Sequence, residues 1–197
     1  MNYIDSINKL LKTNAGMVTT AQITEANIPR IYLKRMVDSG QLIRTGRGVY
    51  TLPDALEDEM FILQVKYNKG IFSHGTALFL HDLTDRTPIQ YTMTFPVGYH
   101  VRSLKDEDLK SFHVKKELFD LGAITMLSPY GKEISVYNIE RTICDILKGR
   151  SNMDIQIVTD TMKRYARSRN KNIPLLTQYA KMFRVEGKVR QYLEVLL

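Results

Sequence analysis

The side chains best suited to move a proton or hold a metal ion lie in the middle of the chain: His74, His81, Asp82 and Asp85, with Glu140 farther on. A metal-dependent nuclease using His74, His81, Asp82 and Glu140 is the chemistry such a set would support, provided the four converge on one point. The spacing argues against it. Histidines that bind a metal from one helix usually stand four residues apart with a third ligand nearby, whereas His74 and His81 are seven apart, so a core or capping place is the commoner reading. His100 and His113 stand without a partner pattern. No G-x-S-x-G nucleophile motif occurs, and Cys144 shares an apolar helical face with Ile143 and Leu147, which makes it a core residue. Gly46-Arg47-Gly48 is too short to cradle a phosphate and opens no helix. The expectation is a protein that is no enzyme and needs no metal or cofactor.

A second kind of chemistry, recognition of a polyanion, is better supported. Around a helix ending near Ser39, Leu33, Met36 and Val37 share one face with Gly40. The opposite face then carries Ile31, Lys34, Arg35 and Asp38, flanked by Arg30 and Tyr32. Donors for guanine edges and phosphates beside an apolar group for a thymine methyl are what a helix in a major groove needs. A solvated face with a Lys34–Asp38 ion pair is the plain alternative. The adjoining segment favours the first reading: LIRTGRGVYTL forms a hairpin whose Arg44 and Arg47 would reach phosphates or the minor groove. A further basic surface is a candidate in the tail, where Lys163, Arg164 and Arg167 gather opposite an apolar helical face and continue toward Lys171.

These groups need elements to position them. Ile4, Ile7, Leu10 and Leu11 predict a helix over 3–13. Thr19 with Gln22 predicts a capping box for a short second helix over about 20–26, and Pro29 is expected at or near the first position of a third. Gly40 supplies its left-handed stop. Pro53 and the acidic cluster Glu57, Asp58 and Glu59 mark a junction. Beyond it, helices are expected over 56–67, after a Ser73 cap, and after an Asn138 cap. Strands are expected at 89–95, 112–114, 123–126 and 134–137, and tail helices over 154–169, 174–184 and 186–196. These elements set the fold class: a mainly α chain, with a winged helix-turn-helix over residues 1–55 and an α+β domain over 56–197 that ends in a basic helical tail.

Composition narrows the setting. The net charge of +7 is unevenly spread: 7 Lys/Arg against 4 Asp/Glu in residues 1–55, 10 against 13 in 56–147, and 11 against 4 in 148–197. Both ends are basic, which suits nucleic acid. The apolar runs fall well short of the roughly 20 residues a membrane span requires, and MNYIDSINKL lacks the basic start and apolar core of a secretory signal. One cysteine excludes an internal disulfide. A cytoplasmic protein with no membrane partner is expected.

The order of motifs resembles the abortive-infection antitoxin family (AbiEi-like) of bacterial type IV toxin–antitoxin systems. The phrases that carry the resemblance are RTGRGVYTL, GIFSHGTALFLHDLTDRTP and YNIERTICDIL, followed by the basic helical tail. The more specific parts are Ser73-His74 leading through Ala77 to Leu80-His81 and Asp85-Arg86, with Glu140-Arg141-Thr142 downstream. The resemblance implies a transcriptional autorepressor that binds inverted repeats of double-stranded DNA in its own promoter. It also implies an antitoxin against a nucleotidyltransferase-like toxin, acting without a stable complex, in a system of phage resistance. Two alternatives stay open: a winged-helix regulator whose second domain senses a ligand, and a metal-dependent nuclease built on the central histidines and carboxylates.

Overall fold

The computed structural model describes residues 2–99, 109–148 and 153–196. The chain divides into two compact units, Met1–Asn68 with Pro129–Lys132, and Lys69–Ser128 with Glu133–Leu197. Helices and two sheets make it an α+β protein. His100, one of the four histidines weighed as possible ligands, lies outside the described residues.

In the first unit, α1 (Tyr3–Thr13) begins at Asn2, whose side chain accepts the Ile4 N–H, and buries Ile7 and Leu11. β1 (Met17–Thr19) leads directly into α2 (Thr20–Glu25) through the Thr19–Gln22 capping box. Pro29 lies near the start of α3 (Ile31–Asp38), two residues ahead of its first position. It lies ahead of the Arg30 cap, and its carbonyl accepts the Tyr32 N–H (3.1 Å) in a tight turn that precedes the helix. Gly40 takes the left-handed conformation that ends it. Ile7, Leu11, Val18, Ile23, Leu33 and Met36 close one core.

β2 (Ile43–Gly46) and β3 (Val49–Thr51) form the hairpin, and β1 adds a third strand in the order β1-β3-β2, all antiparallel. Gly48 at the turn has φ +81°, and a Cβ there would lie 2.9 Å from the Thr20 hydroxyl. Only glycine fits both demands. The Gly48 carbonyl accepts the Thr20 N–H (2.9 Å), which ties the hairpin tip to the start of α2. α4 (Glu59–Lys66) belongs to this unit as well, capped by Asp58, whose side chain accepts the Phe61 N–H. It begins three residues later than the apolar spacing suggests, because Asp58 turns the chain there. From the 129–132 segment, Lys132 Nζ donates to the Asn14 carbonyl at the end of α1 (2.7 Å).

The second unit is built on a mixed sheet of β4 (Ile71–Phe72), β5 (Tyr91–Pro96), β6 (Leu109–Val114), β7 (Ala123–Leu127) and β8 (Glu133–Tyr137), in the order β6-β5-β4-β8-β7. β4–β8 and β5–β6 run parallel, and β4–β5 and β7–β8 antiparallel. The strand expected from Ile89 starts at Tyr91, and Ile89 itself is exposed. α5 (His74–Leu80), α6 (Lys116–Phe119), α7 (Ile139–Leu147), α8 (Ile155–Arg167), α9 (Ile173–Phe183) and α10 (Glu186–Leu196) complete the unit. α7 is buried along most of its length and packs with α5, α8 and α9.

At the centre stands Arg141, with none of its surface exposed. Its guanidinium lies between the rings of Tyr137 (4.0 Å) and Phe183 (4.1 Å). Nε donates to Asp145 (3.0 Å), and Nη1 donates to the carbonyls of Leu118 (2.6 Å) and Leu121 (2.8 Å). Next to it Gly122, at φ +79°, has no room for a side chain: a Cβ would come within 2.7 Å of Arg141 Cβ. A buried charge is tolerable only when paired and hydrogen-bonded, and removing one partner of such a pair typically costs about 3–5 kcal/mol. Arg141→Met should therefore lower the unfolding free energy of the protein by about 3–5 kcal/mol in urea titrations, and Arg141→Met with Asp145→Leu should restore part of that loss. A single variant as stable as the parent would refute this account of the core.

Candidate nucleic-acid interface

The exposed face of α3 is made by elimination. Leu33 and Met36 turn into the core and Val37 packs against it, which leaves Lys34, Arg35 and Asp38 in solvent. Ile31 stays 50% exposed at the first position of the helix. The Lys34–Asp38 ion pair that would mark a merely solvated face is not formed, and among the described residues no carboxylate pairs with Lys34 or Arg35. Arg35 instead places its guanidinium over the half-buried Tyr32 ring (5.3 Å), which meets Tyr3 of α1 at 5.0 Å. Arg30 donates through Nε and Nη2 to the Thr24 hydroxyl (3.3 and 3.0 Å), so it is held against the end of α2.

Arg44 and Arg47 are both exposed on the hairpin, without an ion-pair partner among the described residues. Arg47 occupies the turn beside Gly48. The pairing of β2 with β3 shifts register between Ile43 and Gly46, so Arg44 and Thr45 sit in a bulge. Bulges redirect side chains and sharpen twist, so Arg44 departs from strict alternation with its neighbours. Sequence reasoning missed three contributors. Tyr3 supports Arg35 through Tyr32, Thr24 holds Arg30 directly, and Ile43 is a 47% exposed apolar residue beside Arg44. The aromatic pair had a sequence signal in the amphipathic pattern of the first helix; the bulge had none.

The tail basic group looks different once its partners are seen. Arg164 forms a hydrogen-bonded ion pair with Asp85 and also donates to the Asp82 carbonyl (3.3 Å), so it secures the loop after α5. The pairing holds the Asp85 carboxyl below its usual range. Lys163 stands 4.0 Å from Asp160, and Lys171 donates to the Ser168 carbonyl (3.1 Å). Arg167 is exposed.

The side chains first considered for catalysis lie apart in function. His74, at φ +47°, stacks on Phe112 (ring centroids 3.6 Å apart), with Nδ1 3.0 Å from Ser73 Oγ. Burial, helped by Arg141, pushes its pKa down to about 3. Ser73 does not cap α5 with its hydroxyl, which instead accepts from Thr94 (2.9 Å). Thr92 of β5 supplies the cap by accepting the Thr76 N–H (3.1 Å), so an otherwise unsatisfied donor of the helix docks it on the sheet. His81 ends α5 and bonds through Nε2 to the Tyr137 carbonyl (2.7 Å). Glu140 is buried and accepts from the Tyr165 hydroxyl (3.1 Å) and the Asn172 N–H (3.2 Å), joining α7 to α8 and the start of α9. Among the described residues no three His, Cys, Asp or Glu side chains gather as a metal site would require. Cys144 is buried, and burial raises its thiol to about 12.

Residues 5–53 match the family described as transcriptional regulator, AbiEi antitoxin, the family that the motifs suggest. No curated protein matches the chain. The fold is similar to the crystal structure of the RV2827C protein from Mycobacterium tuberculosis, with a TM-score of 0.59 at 12% identity over 97% of this chain and 79% of that one. At that identity the likeness concerns the fold alone.

Because His74 is neutral when folded but takes a proton near its ordinary pKa when unfolded, it contributes stability that is full above pH 6.5 and lost as the pH falls toward about 3. At about 1.4 kcal/mol per unit, and with half the unfolded chains already protonated at pH 6.5, the loss between pH 6.5 and 4.5 is about 2 kcal/mol. Burial raises Asp145 to about 6, which adds stability as the pH falls over the same range, so the readout is the difference between proteins: in urea unfolding at those two pH values His74→Asn, which tolerates the left-handed backbone, should lose about 2 kcal/mol less than the parent. Equal sensitivity in both proteins would contradict the assignment.

Proposed function

We propose that residues 1–55 form a winged helix-turn-helix that binds double-stranded operator DNA, and that the chain is an autorepressor and antitoxin of a bacterial type IV toxin–antitoxin system. The observation that carries the DNA half is the face of α3: Ile31, Lys34 and Arg35 stand exposed, with no carboxylate partner for the two cations among the described residues, next in sequence to a basic-tipped hairpin. With α3 in the major groove, Lys34 and Arg35 would donate to base edges or phosphates while Ile31 meets a thymine methyl. Arg30 would approach the backbone from the helix start, and Arg44 and Arg47 would follow the backbone or enter the minor groove. Two copies on inverted repeats in the promoter of its own operon would give autoregulation.

The antitoxin half rests on the family described as transcriptional regulator, AbiEi antitoxin, matched over 5–53. The second unit would protect against a nucleotidyltransferase-like toxin without a stable complex, in the cytoplasm and as part of phage resistance. It would act by binding rather than catalysis; His74, His81 and Glu140 are already engaged in internal hydrogen bonds. Among the described residues no helix is long and apolar enough to cross a membrane. Lys163, Arg164, Arg167 and Lys171 would offer at most a secondary surface, with Arg167 its most available member.

Lys34→Ala and Arg35→Ala should each weaken operator binding by about 1–3 kcal/mol in gel shifts while the protein stays folded, whereas Leu33→Ala should destabilise the first unit by about 2–5 kcal/mol. Unchanged affinity in both folded variants would end the recognition-helix reading. Arg44→Ala with Arg47→Ala should flatten the slope of log affinity against log salt by about 1.8, close to 0.9 for each phosphate no longer neutralised. The same measurement on Lys163→Ala with Arg167→Ala tests the tail, since an unchanged slope confines DNA contact to the first unit. Co-expression of the full chain with the neighbouring toxin, scored by survival, tests protection.

A further inference from the structure

We propose that β7 (Ala123–Leu127) is a docking edge for a second copy of this chain, paired antiparallel with its own counterpart about a twofold axis at Thr125. β7 ends the sheet order β6-β5-β4-β8-β7, so among the described residues a strand meets it on one side only. An open edge offers a row of N–H and C=O groups to any strand that arrives, and soluble proteins usually blunt it with a charge, a proline or a bulge. β7 has none of these. It reads Ala, Ile, Thr, Met and Leu, and its pairing with β8 runs unbroken from Ala123↔Tyr137 to Leu127↔Glu133. All but Met126 are exposed, with Ile124 at 39% and Leu127 at 62%. At the other edge β6 carries Lys110 and His113, the blunting that β7 lacks.

The backbone determines which groups face outward. The Asn138 N–H donates to the Gly122 carbonyl (2.7 Å), one step beyond the Ala123↔Tyr137 pair. Opposed residues in an antiparallel ladder alternate between bonded and non-bonded pairs, so Ile124 and Met126 exchange bonds with β8, while Ala123, Thr125 and Leu127 turn their N–H and C=O groups away from it. The Ala123 N–H agrees with this phase, since it donates to the Asp120 carbonyl (3.2 Å) rather than to β8. The outward donors left for a new strand are those of Thr125 and Leu127.

The strand that fits this edge is another β7. A twofold axis at Thr125 sets Thr125 opposite Thr125, Ala123 opposite Leu127 and Ile124 opposite Met126. The two Thr125 residues then exchange both of their main-chain bonds, and each Leu127 N–H donates to the Ala123 carbonyl of the other copy. On one face Ile124 and Met126 prolong the row formed by Val136 and Ile134, both buried in β8, so the second copy covers apolar surface next to the core. On the other face a small residue meets a large one, and the Thr125 hydroxyls meet across the axis. An isologous contact brings each residue near the axis against its own kind, which a charged strand could not tolerate and this uncharged one can. A five-residue edge falls well short of the roughly 20–30 residues a side of a standard interface, so the dimer is weak and reversible.

The test uses the full-length protein without DNA, so its outcome is independent of the DNA reading. Amide hydrogen exchange resolved by residue with NMR, on dilute and on near-millimolar protein, reads the register. The Ile124 and Met126 amides should be slow in both samples, whereas those of Thr125 and Leu127 should be fast in the dilute one and at least about twofold slower in the concentrated one. Sedimentation equilibrium over the same range should show the mass rising toward that of a dimer and no further. Thr125→Lys, which sets two cations against each other at the axis, and Leu127→Lys should each weaken association by at least about tenfold with thermal unfolding unchanged, because both positions are exposed. Thr125 and Leu127 amides that exchange alike at both concentrations, a chain that stays monomeric, a dimer that ignores both substitutions, or growth beyond the dimer would each overturn the proposal.

Discussion

A guanidinium removed from water must find counter-charge, acceptors and polarisable surface inside the protein, and much of the second unit is arranged to meet that demand for Arg141. Five segments converge on it: Tyr137 from β8, Leu118 from α6, Leu121 from the following turn, Asp145 one helical turn along α7, and Phe183 from α9. The neighbouring residues of the Glu140-Arg141-Thr142 triplet extend the same logic. Glu140 gathers Tyr165 and Asn172, while Thr142 returns its hydroxyl to the Asn138 carbonyl (2.8 Å). Buried polar networks of this kind favour one arrangement of the elements over its near neighbours, and here Nη2 is the one guanidinium nitrogen left without a hydrogen-bond acceptor among the described residues. The triplet that helps carry the family resemblance is thus largely a packing device.

The two units use charge in opposite ways. In the first, Lys34, Arg44 and Arg47 reach solvent without ion-pair partners among the described residues, so their charge is available to something outside the protein. In the second, Arg86, Arg141 and Arg164 pair with Asp154, Asp145 and Asp85. A net charge of +7 therefore says less about a partner than the identity of the cations that lack a carboxylate. The tail segment, with 11 Lys/Arg against 4 Asp/Glu, is the more basic by count, yet Lys163, Arg164 and Lys171 already have internal contacts.

Local chemistry was readable where it is self-contained. The Thr19–Gln22 capping box, the Asn138 cap and the Gly40 stop each depend on a few adjacent residues, and all stand where the sequence puts them. So does the hairpin, and with it Arg44 and Arg47. Features made by distant partners were not readable. β1 has three residues and β4 two, too few for alternation to register, yet β4 lies at the middle of the sheet because β5 and β8 pair with it from far along the chain. The cap of α5 comes from Thr92 rather than adjacent Ser73, and the bulge that carries Arg44 arises from pairing with β3. On the exposed face of α3 the side chains that reach solvent were legible, but the Tyr3–Tyr32–Arg35 stack and the Thr24 tether needed the fold.

The segment Pro129–Lys132 belongs to the first compact unit although much of the second unit precedes it in the chain, and Lys132 supplies a donor to the carbonyl at the end of α1. On the ribosome this delays completion of the first unit, although it is still finished before the second. The first unit begins to emerge first but lacks its final piece until Lys69–Ser128 has been made, a lag of about 3–12 s at elongation rates of about 5–20 residues per second. A stalled or clipped nascent chain that ends before residue 129 would carry α3 and the hairpin without the segment that supplies the Lys132 donor. The integrity of the first unit is thereby coupled to translation of the first half of the second.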